Sequence, residues 1–338
     1  MLRAIAFAVV ATMIAFPVAG SDLLLVANKS GHTVDLIDLA GGRSMATLPT
    51  GHAPHEIAVS TDGELAVVAN YGDREKPGST LTLIDVAKRK VLKTITLGRH
   101  TRPHGVMFVD AKRVAVTTEG SRHLLVVNVR SGKIEKEIAT DQDVSHMVAL
   151  TAGRAFVANI GSGSMTAIDL QRGRKLADVA TGGGAEGIAV RPGGKEVWVT
   201  NRAADTVSIV DPQTLEIVAS IAVAGFPIRV AFTPDGRNAI VSSARSGEVV
   251  LIDAGRREEV RRRKLDFSRA PDAARRLFGD QFGASPVPIG LVVSRDGKRA
   301  WVAATQSDVV AVIDTTTLDV VDLVRAGREP DGMALAVR

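Results

Sequence analysis

Cysteine is absent from this 338-residue sequence, and aromatic residues make up only 4% of it. Without cysteine the chain has no disulfide bond, no thiolate zinc site, no cysteine nucleophile and no covalently attached c-type haem, which requires a C-x-x-C-H motif. The scarcity of aromatic residues argues against stacking platforms for sugars or single-stranded nucleic acid. These absences exclude several classes of protein before any motif is considered.

Strong net charge and familiar catalytic motifs are also missing. The chain has 42 basic and 37 acidic residues, a formal net charge of +5. This charge is too mild to predict binding to nucleic acid. The sequence contains no nucleophile elbow, no glycine-rich phosphate loop and no metalloprotease helix. A reaction therefore has to be sought in the arrangement of side chains rather than in a motif.

The apolar run at residues 4–16 is too short, at 13 residues, to span a bilayer. It follows Arg3 and precedes a stretch of small residues that offers a cleavage site before Ser21. We predict a Sec-type signal peptide over residues 1–20 and a periplasmic or extracellular protein. A leader retained as a membrane anchor is the alternative.

A repeated unit occupies the rest of the chain. Its clearest copy is PHEIAVSTDGELAVVAN at residues 54–70, which has two strand-like runs around an Asp-Gly turn. Copies begin at Pro54, Pro103, Ser145, Ala185, Pro227, Pro288 and Pro330, so successive copies are 49, 42, 40, 42, 61 and 42 residues apart. A period near 40 residues is typical of a β-propeller. We predict an all-β fold with four-stranded antiparallel blades around a channel.

The two termini complement each other. Residues 23–51 hold three strand-like runs without an opening run, whereas residues 329–337 hold an opening run alone. We predict that they share one blade whose innermost strand comes from the C-terminus, because this closure leaves no open sheet edge. The ring then has seven blades. Residues 21–338 form a single propeller domain with an insertion at 268–285.

The repeat resembles the YVTN repeat of seven-bladed propellers. FVAN at residues 156–159, WVTN at 198–201 and the V-x-x-I-D-x-x-T pattern of the third strands carry this resemblance. It implies an exported, YncE-like propeller. It also relates the chain to lactonase-type propellers and to the haem-binding domain of cytochrome d1 nitrite reductases, which has eight blades against the seven counted here.

The seven copies serve as an internal control, because a residue type present in every copy supports the blade and a departure can mark a site. An aspartate or asparagine closes each third strand, at Asp38, Asp85, Asn128, Asp169, Asp211, Asp253 and Asp314. Such side chains bond the backbone of a following turn. We predict that these seven residues are structural.

The position after the opening residue departs from a common pattern. In ring order it holds His55, His104, His146, Glu186, Ile228, Ile289 and Asp331. First strands line the channel, so five consecutive blades place ligating side chains at one mouth. Three imidazoles with flanking carboxylates suit a divalent, zinc-like metal. We predict a metal site formed by His55, His104, His146, Glu186 and Asp331. The alternative is that these side chains are simply solvated in the channel.

Other residues at the same mouth predict contacts with a small ligand. Arg229 stands where most copies have glycine, and the loops after the second strands are rich in arginine and asparagine, which suit a carboxylate or phosphate. We predict ligand-binding roles for Arg229, Asn70, Asn159 and Asn201. The same loops also contain Tyr71, Glu119 and Arg202. The alternative is that loop tips are polar in any soluble protein.

The insertion at residues 268–285 explains the spacing of 61 residues between two copies. Ser268, Pro271 and Asp272 can start a helix that residues 273–278 continue. The insertion joins two blades at the mouth, so Phe278 and Phe282 can turn toward the channel. A floppy surface loop is the alternative.

Three functions are compatible with these features. The first is a binding or scaffold module that holds a metal, a small ligand or a protein partner at the mouth. The second is a lactonase-type hydrolase with a histidine or glutamate as general base. The third is an electron-transfer accessory that carries a non-covalent haem or serves a quinoprotein. We expect a monomer without nucleic-acid partners and without a stable membrane span after signal cleavage.

Overall fold

The seven-bladed ring predicted from the repeats is confirmed. The structure, a computed structural model, describes residues 22–337, so the predicted signal peptide at 1–20 lies outside the described residues. Within residues 22–337 the chain forms seven four-stranded sheets and a single short 3-10 turn. No helix in this part of the chain is long and apolar enough to cross a membrane.

The strands are numbered along the chain, and the blades are numbered from the first complete one. Blade 1 contains β4 (Pro54–Val59), β5 (Leu65–Gly72), β6 (Pro77–Asp85) and β7 (Lys90–Thr96). Blade 2 contains β8 (Pro103–Phe108), β9 (Arg113–Thr118), β10 (His123–Asn128) and β11 (Ile134–Ala139). Blade 3 contains β12 (Ser145–Thr151), β13 (Arg154–Asn159), β14 (Ser164–Asp169) and β15 (Arg174–Ala180).

The remaining blades follow the same order. Blade 4 contains β16 (Ala185–Val190), β17 (Val197–Asn201), β18 (Thr206–Val210) and β19 (Ile217–Ala222). Blade 5 contains β20 (Pro227–Phe232), β21 (Asn238–Ser243), β22 (Glu248–Asp253) and β23 (Glu258–Lys264). Blade 6 contains β24 (Pro288–Val293), β25 (Arg299–Ala304), β26 (Val309–Asp314) and β27 (Val320–Arg325). Blade 7 contains β28 (Pro330–Ala336), β1 (Leu23–Asn28), β2 (Thr33–Asp38) and β3 (Arg43–Pro49).

Blade 7 joins the two ends of the chain, as predicted. Strand β28 is its innermost strand and pairs antiparallel with β1, with Leu23 opposite Ala336 and Leu25 opposite Ala334. The ladder closes the ring without an unpaired inner edge. Each half of the blade therefore needs the other terminus for its backbone hydrogen bonds.

Apolar side chains fill the spaces between the blades. Seven buried clusters each combine residues of two adjacent blades, one cluster for every blade interface. Second strands such as β1 are buried along their whole length, whereas the outermost strands, such as β7, are largely exposed. A sheet covered on both faces has near-continuous apolar strands. Each blade thus obtains its core from its two neighbours.

The predicted structural role of the third-strand aspartates is seen in every blade. In all seven copies the side chain accepts a hydrogen bond from the backbone N–H three residues later. Asp85, for example, accepts from the N–H of Lys88 at 2.8 Å. This contact fixes the turn between the third and fourth strands.

Glycine allows the first strands of neighbouring blades to approach closely around the channel. A Cβ atom on Gly290 would lie 1.9 Å from the carbonyl oxygen of Asp331, and one on Gly187 would lie 2.2 Å from that of Ile228. Any larger residue would force these strands apart. The close approach brings the side chains at the channel mouth within contact of one another.

The insertion at 268–285 is not the helix that its sequence predicts. Its helical part is limited to a 3-10 turn at Ala273–Arg275. The side chain of Arg276 is buried and bonds to Asp272 within the insertion and to Asp308 of blade 6. Tertiary ion pairs therefore determine this conformation in place of repeated helical hydrogen bonds.

Candidate metal and ligand site

A cavity of about 350 Å³ lies at the mouth of the channel where the first strands begin. Its lining includes all five residues of the predicted metal site: His55, His104, His146, Glu186 and Asp331. All five are buried. Ile289 also lines the cavity, while Ile228 is buried behind the surface in an apolar cluster. The structure thus brings together the residues that the repeat comparison selected.

A second ring of side chains lies at the ends of the second strands. In each blade the opening residue pairs with a residue at or near the end of the second strand, as Pro54 does with Asn70 and Pro103 with Thr118. The next residue along the chain is therefore equivalent in all blades. We call these residues the upper ring: Lys29, Tyr71, Glu119, Ile160, Arg202, Ala244 and Thr305. The first five of them line the cavity.

Glu119 is the member of the upper ring that sequence reasoning missed as a metal ligand. The patterns VTTE at 116–119 and VVAN at 67–70 make Glu119 look equivalent to Asn70 in sequence, whereas the ladders place Thr118 level with Asn70. Blade 2 is one residue shorter between these points because its first turn lacks the Asp-Gly pair. Counting back ten residues from the residue that closes the third strand, Asn128 in blade 2 and Asp169 in blade 3, places Thr118 level with Asn159 and therefore Glu119 level with Ile160.

An ion pair across the channel forms the floor of the cavity. Glu56 on β4 and Arg229 on β20 occupy a position where most other copies have glycine. Nη2 of Arg229 lies 2.6 Å from Oε1 of Glu56, and its Nη1 lies 3.5 Å from Oε1 of Glu186. Burial opposes the charge of Arg229, but Glu56 and then Glu186 outweigh this and raise its pKa. Arg229, predicted to bind ligand, therefore lines the cavity with its charge already paired.

Two carboxylates orient two of the imidazoles. Nδ1 of His146 lies 2.5 Å from Oε1 of Glu119, and Nδ1 of His55 lies 3.0 Å from Oδ2 of Asp331. In both histidines Nε2 is buried; that of His55 has no hydrogen-bond partner among residues 22–337, and that of His146 lies 3.5 Å from Oε1 of Glu186. A carboxylate at one ring nitrogen fixes the ring and leaves the other nitrogen to bind a metal or a proton.

His104 lies between these two rings. Its ring centroid is 4.8 Å from that of His55 and 3.6 Å from that of His146. Its buried Nδ1 also lacks a hydrogen-bond partner in the described part of the chain. Burial, followed by the neighbouring His146 and His55, holds the pKa of His104 well below 6.5. His104 is therefore neutral at pH 7, which is the form that binds metals.

The charges on the polar side of the cavity balance one another. Burial opposes the charged form of His146, but Glu119 and then Glu186 outweigh it and raise the pKa of His146. Burial likewise opposes ionisation of Glu186, but Arg202, 2.5 Å away, and then His146 lower its pKa to about 2. Opposite charges this close are held together strongly in a buried site.

Tyr71 extends this network toward the rim. Its hydroxyl donates to Oε2 of Glu119 at 2.6 Å and accepts from Nη1 of Arg102 at 3.3 Å. Burial, followed by Glu119, raises the pKa of Tyr71 above its usual value of 10. The hydroxyl therefore stays protonated and continues to hold Glu119 against His146.

One group in the described residues has the spacing of a metal site. A ligand atom from each of His104, Glu119 and His146 lies within 4.8 Å of the others. Two members of the predicted set have other contacts, because Glu186 binds Arg202 and Asp331 binds His55. Glu119, rather than either of these carboxylates, therefore completes the group of metal-site spacing with His104 and His146.

The three asparagines predicted to bind ligand belong to the scaffold. Asn70, Asn159 and Asn201 are fully buried and do not line the cavity. Each amide nitrogen donates to two hydroxyl groups on the third strand of its own blade, as that of Asn70 does to Thr80 and Thr82 at 3.0 Å. Asn28 of blade 7 makes equivalent contacts, so the amide recurs at this position in four blades and supports the sheet. The predicted contact with a ligand is therefore not part of the cavity geometry, in which these three residues support the lining from behind.

The opposite side of the mouth is apolar. We call it the apolar wall, and it consists of Phe226, Ile228, Ala244, Phe278, Phe282, Val287 and Ile289. Phe278 and Phe282 stack with centroids 4.8 Å apart, and Phe282 lies 5.0 Å from Phe226. Of the two phenylalanines of the insertion, Phe278 lines the cavity and Phe282 is buried behind it.

Comparison with known proteins agrees with this architecture. A family model described as the Cytochrome D1 heme domain matches residues 109–274. The chain is similar to cytochrome d1-type propellers. The resemblance predicted from the repeats, to seven-bladed propellers related to the d1 type, is thereby confirmed. The matched residues include Glu119, His146 and Glu186, whereas His55, His104 and Asp331 lie outside them.

Solved structures share the fold at low sequence identity. Hydrazine synthase from Kuenenia stuttgartiensis has a TM-score of 0.72 at 18% identity, over 88% of this chain and 93% of that chain. A functionally unknown protein from Desulfotomaculum acetoxidans DSM 771 has a TM-score of 0.77 at 15% identity, over 93% and 99%. Dihydro-heme d1 dehydrogenase NirN, solved in complex with DHE, has a TM-score of 0.64 at 17% identity, over 95% and 77%. No curated protein matches the sequence.

Proposed function

We propose that this propeller is a binding module that holds a metal centre in its mouth cavity through the imidazoles of His104 and His146. The observation that carries the proposal is the set of buried imidazole nitrogens without hydrogen-bond partners in residues 22–337. Buried polar atoms are nearly always hydrogen-bonded. Several such atoms that face one cavity are most simply explained by a bound ligand.

The electrostatics of the site support the same proposal. His104 is neutral at pH 7 because burial and the adjacent imidazoles lower its pKa. The Glu119 carboxylate fixes His146 through Nδ1 and leaves Nε2 directed to other partners. Carboxylate–histidine pairs of this kind are usual around metals in proteins, where they raise the basicity of the ligating nitrogen. A cation at the imidazoles would also lower the pKa of His146 and favour its neutral form.

A haem is the cofactor that the family match implies, and the donor chemistry of the cavity fits it. Imidazole is a common ligand of haem iron, and His104 or His146 is the residue that would provide it. Arg102 also lines the cavity, and a guanidinium there suits a carboxylate side chain of a cofactor. A bound haem would supply electron-transfer chemistry. A bare divalent ion and an iron tetrapyrrole share the same imidazole ligands, so one experiment must separate them.

The test is metal analysis and a visible spectrum of protein purified without a histidine tag. We expect a transition metal at a near-stoichiometric level, lost in His104→Ala and retained in His123→Ala, which removes a histidine that does not line the cavity. A strong absorption band in the visible range would identify a haem, and its absence beside bound metal would identify a bare ion. Wild-type protein that neither contains nor takes up metal or haem would contradict the proposal.

A hydrolase is the second candidate, and the Glu119–His146 pair is the observation in its favour. A carboxylate that holds Nδ1 and directs Nε2 into the cavity, here 3.5 Å from Glu186, is also the arrangement of a general base. Hydrolysis of a panel of lactones by metal-free protein, lost in His146→Gln, would support this reading. Activity that requires added metal would join it to the first proposal, since a metal can activate water.

We also propose that the protein is exported, because of the signal-like leader. Fractionation of cells followed by N-terminal sequencing tests this point. A mature chain that begins at Ser21 is expected, and an intact leader on membrane-bound protein would favour the anchor.

A further inference from the structure

The tip of the insertion presents an apolar side chain to the cavity. Leu277 lines the cavity and is 50% exposed, although it directly follows the buried Arg276. Phe278, the next residue, also lines the cavity. Neither residue belongs to a repeat, and both lie outside the stretch that matches the Cytochrome D1 heme domain. The insertion is therefore a feature added to the ring at its mouth.

The position of this tip is fixed by buried polar contacts. The guanidinium of Arg276 bonds to Oδ1 of Asp272 at 2.6 Å, to Oδ2 of Asp308 at 2.7 Å and to the carbonyl oxygen of Thr305 at 2.8 Å. The backbone N–H of Leu277 donates to the buried Glu329 at 2.6 Å. Contacts to buried charged groups are among the stronger hydrogen bonds in proteins. Leu277 and Phe278 thus form a fixed surface.

The size of the cavity exceeds what a bare ion requires. About twelve water molecules fill 350 Å³ at the volume per molecule of the liquid. A metal held by two imidazoles and a carboxylate would leave most of this space filled with water against Leu277, Phe278 and Ile289. Cavities of this size in proteins suit small organic molecules. Covering apolar side chains with an apolar ligand is favourable, whereas covering them with water is not.

We propose that Leu277 and Phe278 are specificity-determining residues that bind the apolar body of an organic metal complex, so that the cavity selects such a complex over a bare ion. This inference rests on the proposed function, because the imidazoles hold the metal while the insertion holds the organic part. The imidazoles and the apolar wall lie on opposite sides of the cavity. The ligand class is therefore a metal chelate with one apolar face.

Two probes and matched variants test the inference. Cobalt(II) alone is titrated by calorimetry, and hemin is titrated by visible absorption, both into protein stripped of metal. The variants are Leu277→Ser and Phe278→Ala. Leu323→Ser is the control, since Leu323 is exposed to a similar extent, 49%, on an outer strand. Thermal melts verify that each variant is folded.

We expect each insertion variant to weaken hemin binding about tenfold, the loss expected for one buried apolar contact, and to leave cobalt binding within about twofold of wild type. The control variant should bind both probes as wild type does. Wild-type protein that binds cobalt but not hemin, or insertion variants that bind hemin normally, would overturn the inference and leave the proposed function standing. Wild-type protein that binds neither probe would overturn both.

Discussion

The channel mouth has two unlike halves that come from the same repeated unit. On blades 7, 1, 2, 3 and 4 the residue after the opening position is an acid or a histidine, whereas blades 5 and 6 carry isoleucine there. The first half holds the imidazoles and their carboxylates. The second half is the apolar wall, completed by the insertion. In this repeat fold, the residue after the opening position therefore determines the character of each side of the mouth. Charged and imidazole groups occupy one side, and apolar groups occupy the other.

The apolar half of the mouth strengthens the interactions between charges on the polar half. The apolar wall excludes water from one side of the cavity, and a low local dielectric strengthens ion pairs and hydrogen bonds. Arg202 and His146 lower the pKa of Glu186 to about 2 against the effect of burial, whereas burial itself lowers the pKa of His104. The two halves are also joined directly, since Arg229 of blade 5 reaches Glu56 of blade 1.

Breaking that link should have the largest effect on stability. Arg229→Leu leaves Glu56 buried without its guanidinium partner and weakens the support of Glu186, so we expect a loss of about 4–5 kcal/mol in the free energy of unfolding. Urea unfolding measures it. The double variant Glu56→Leu, Arg229→Leu removes both charges and should recover most of the loss. A single variant as stable as wild type would show that the floor pair does not join the halves.

The apolar wall should respond to truncation in proportion to burial. Phe282 is buried and Leu277 is half exposed. Phe282→Ala should lower the free energy of unfolding by about 3–4 kcal/mol, and Leu277→Ser should change it by less than about 0.5 kcal/mol. Equal effects in denaturant unfolding would mean that the insertion is not packed as described.

The free energy of unfolding should depend on pH because of Glu186 in the polar half. The pKa of Glu186 is lowered in the folded state to about 2, so its contribution is present above the unfolded value of 4.5 and is lost as pH falls from 5 to 2. The loss attributable to this group is about 3 kcal/mol. Glu186→Gln should flatten the stability profile over that range relative to wild type. Parallel profiles would contradict the assigned pairing with Arg202 and His146.

The smallest effect concerns His104 in metal-free protein. Its folded-state pKa is depressed, so the unfolded chain binds a proton between pH 6.5 and 5.5 that the folded chain does not. Stability should therefore fall by about 1 kcal/mol over this range because of His104. His146, with a raised pKa, acts in the opposite direction. Comparing wild type with His104→Asn isolates the first contribution, and identical profiles would mean that His104 protonates freely in the fold.

Much of this architecture follows from the repeats. The spacing from Pro54 onward and the complementary ends of the chain predict the ring and its shared blade, because each copy carries the same strand and turn signals. The cavity residues can be predicted from the sequence as well, because the position after the opening residue differs from copy to copy. It holds His55, His104, His146, Glu186 and Asp331 in five of the seven copies. Such departures are informative only when the copies are aligned in the correct register.

Three features could not be predicted from the sequence and are seen only in the folded structure. Glu119 was displaced in the alignment by a one-residue difference in a turn, and the ladder of β8 and β9 reveals its true position. Asn70 and its equivalents resemble ligand donors in sequence, yet their hydrogen bonds run to the third strand. The insertion contains helix signals that are overridden by the tertiary ion pairs of Arg276, which are distant in sequence. Local sequence patterns do not predict contacts between residues that are distant in sequence.

The most direct test of a metal centre at the imidazoles is a crystal structure of the protein soaked with zinc, with anomalous diffraction recorded at the zinc absorption edge. The account predicts a peak in the mouth cavity about 2.1 Å from imidazole nitrogens of His104 and His146. A protein with no anomalous peak in the cavity, or with peaks only at histidines outside it such as His32 and His52, would contradict the account.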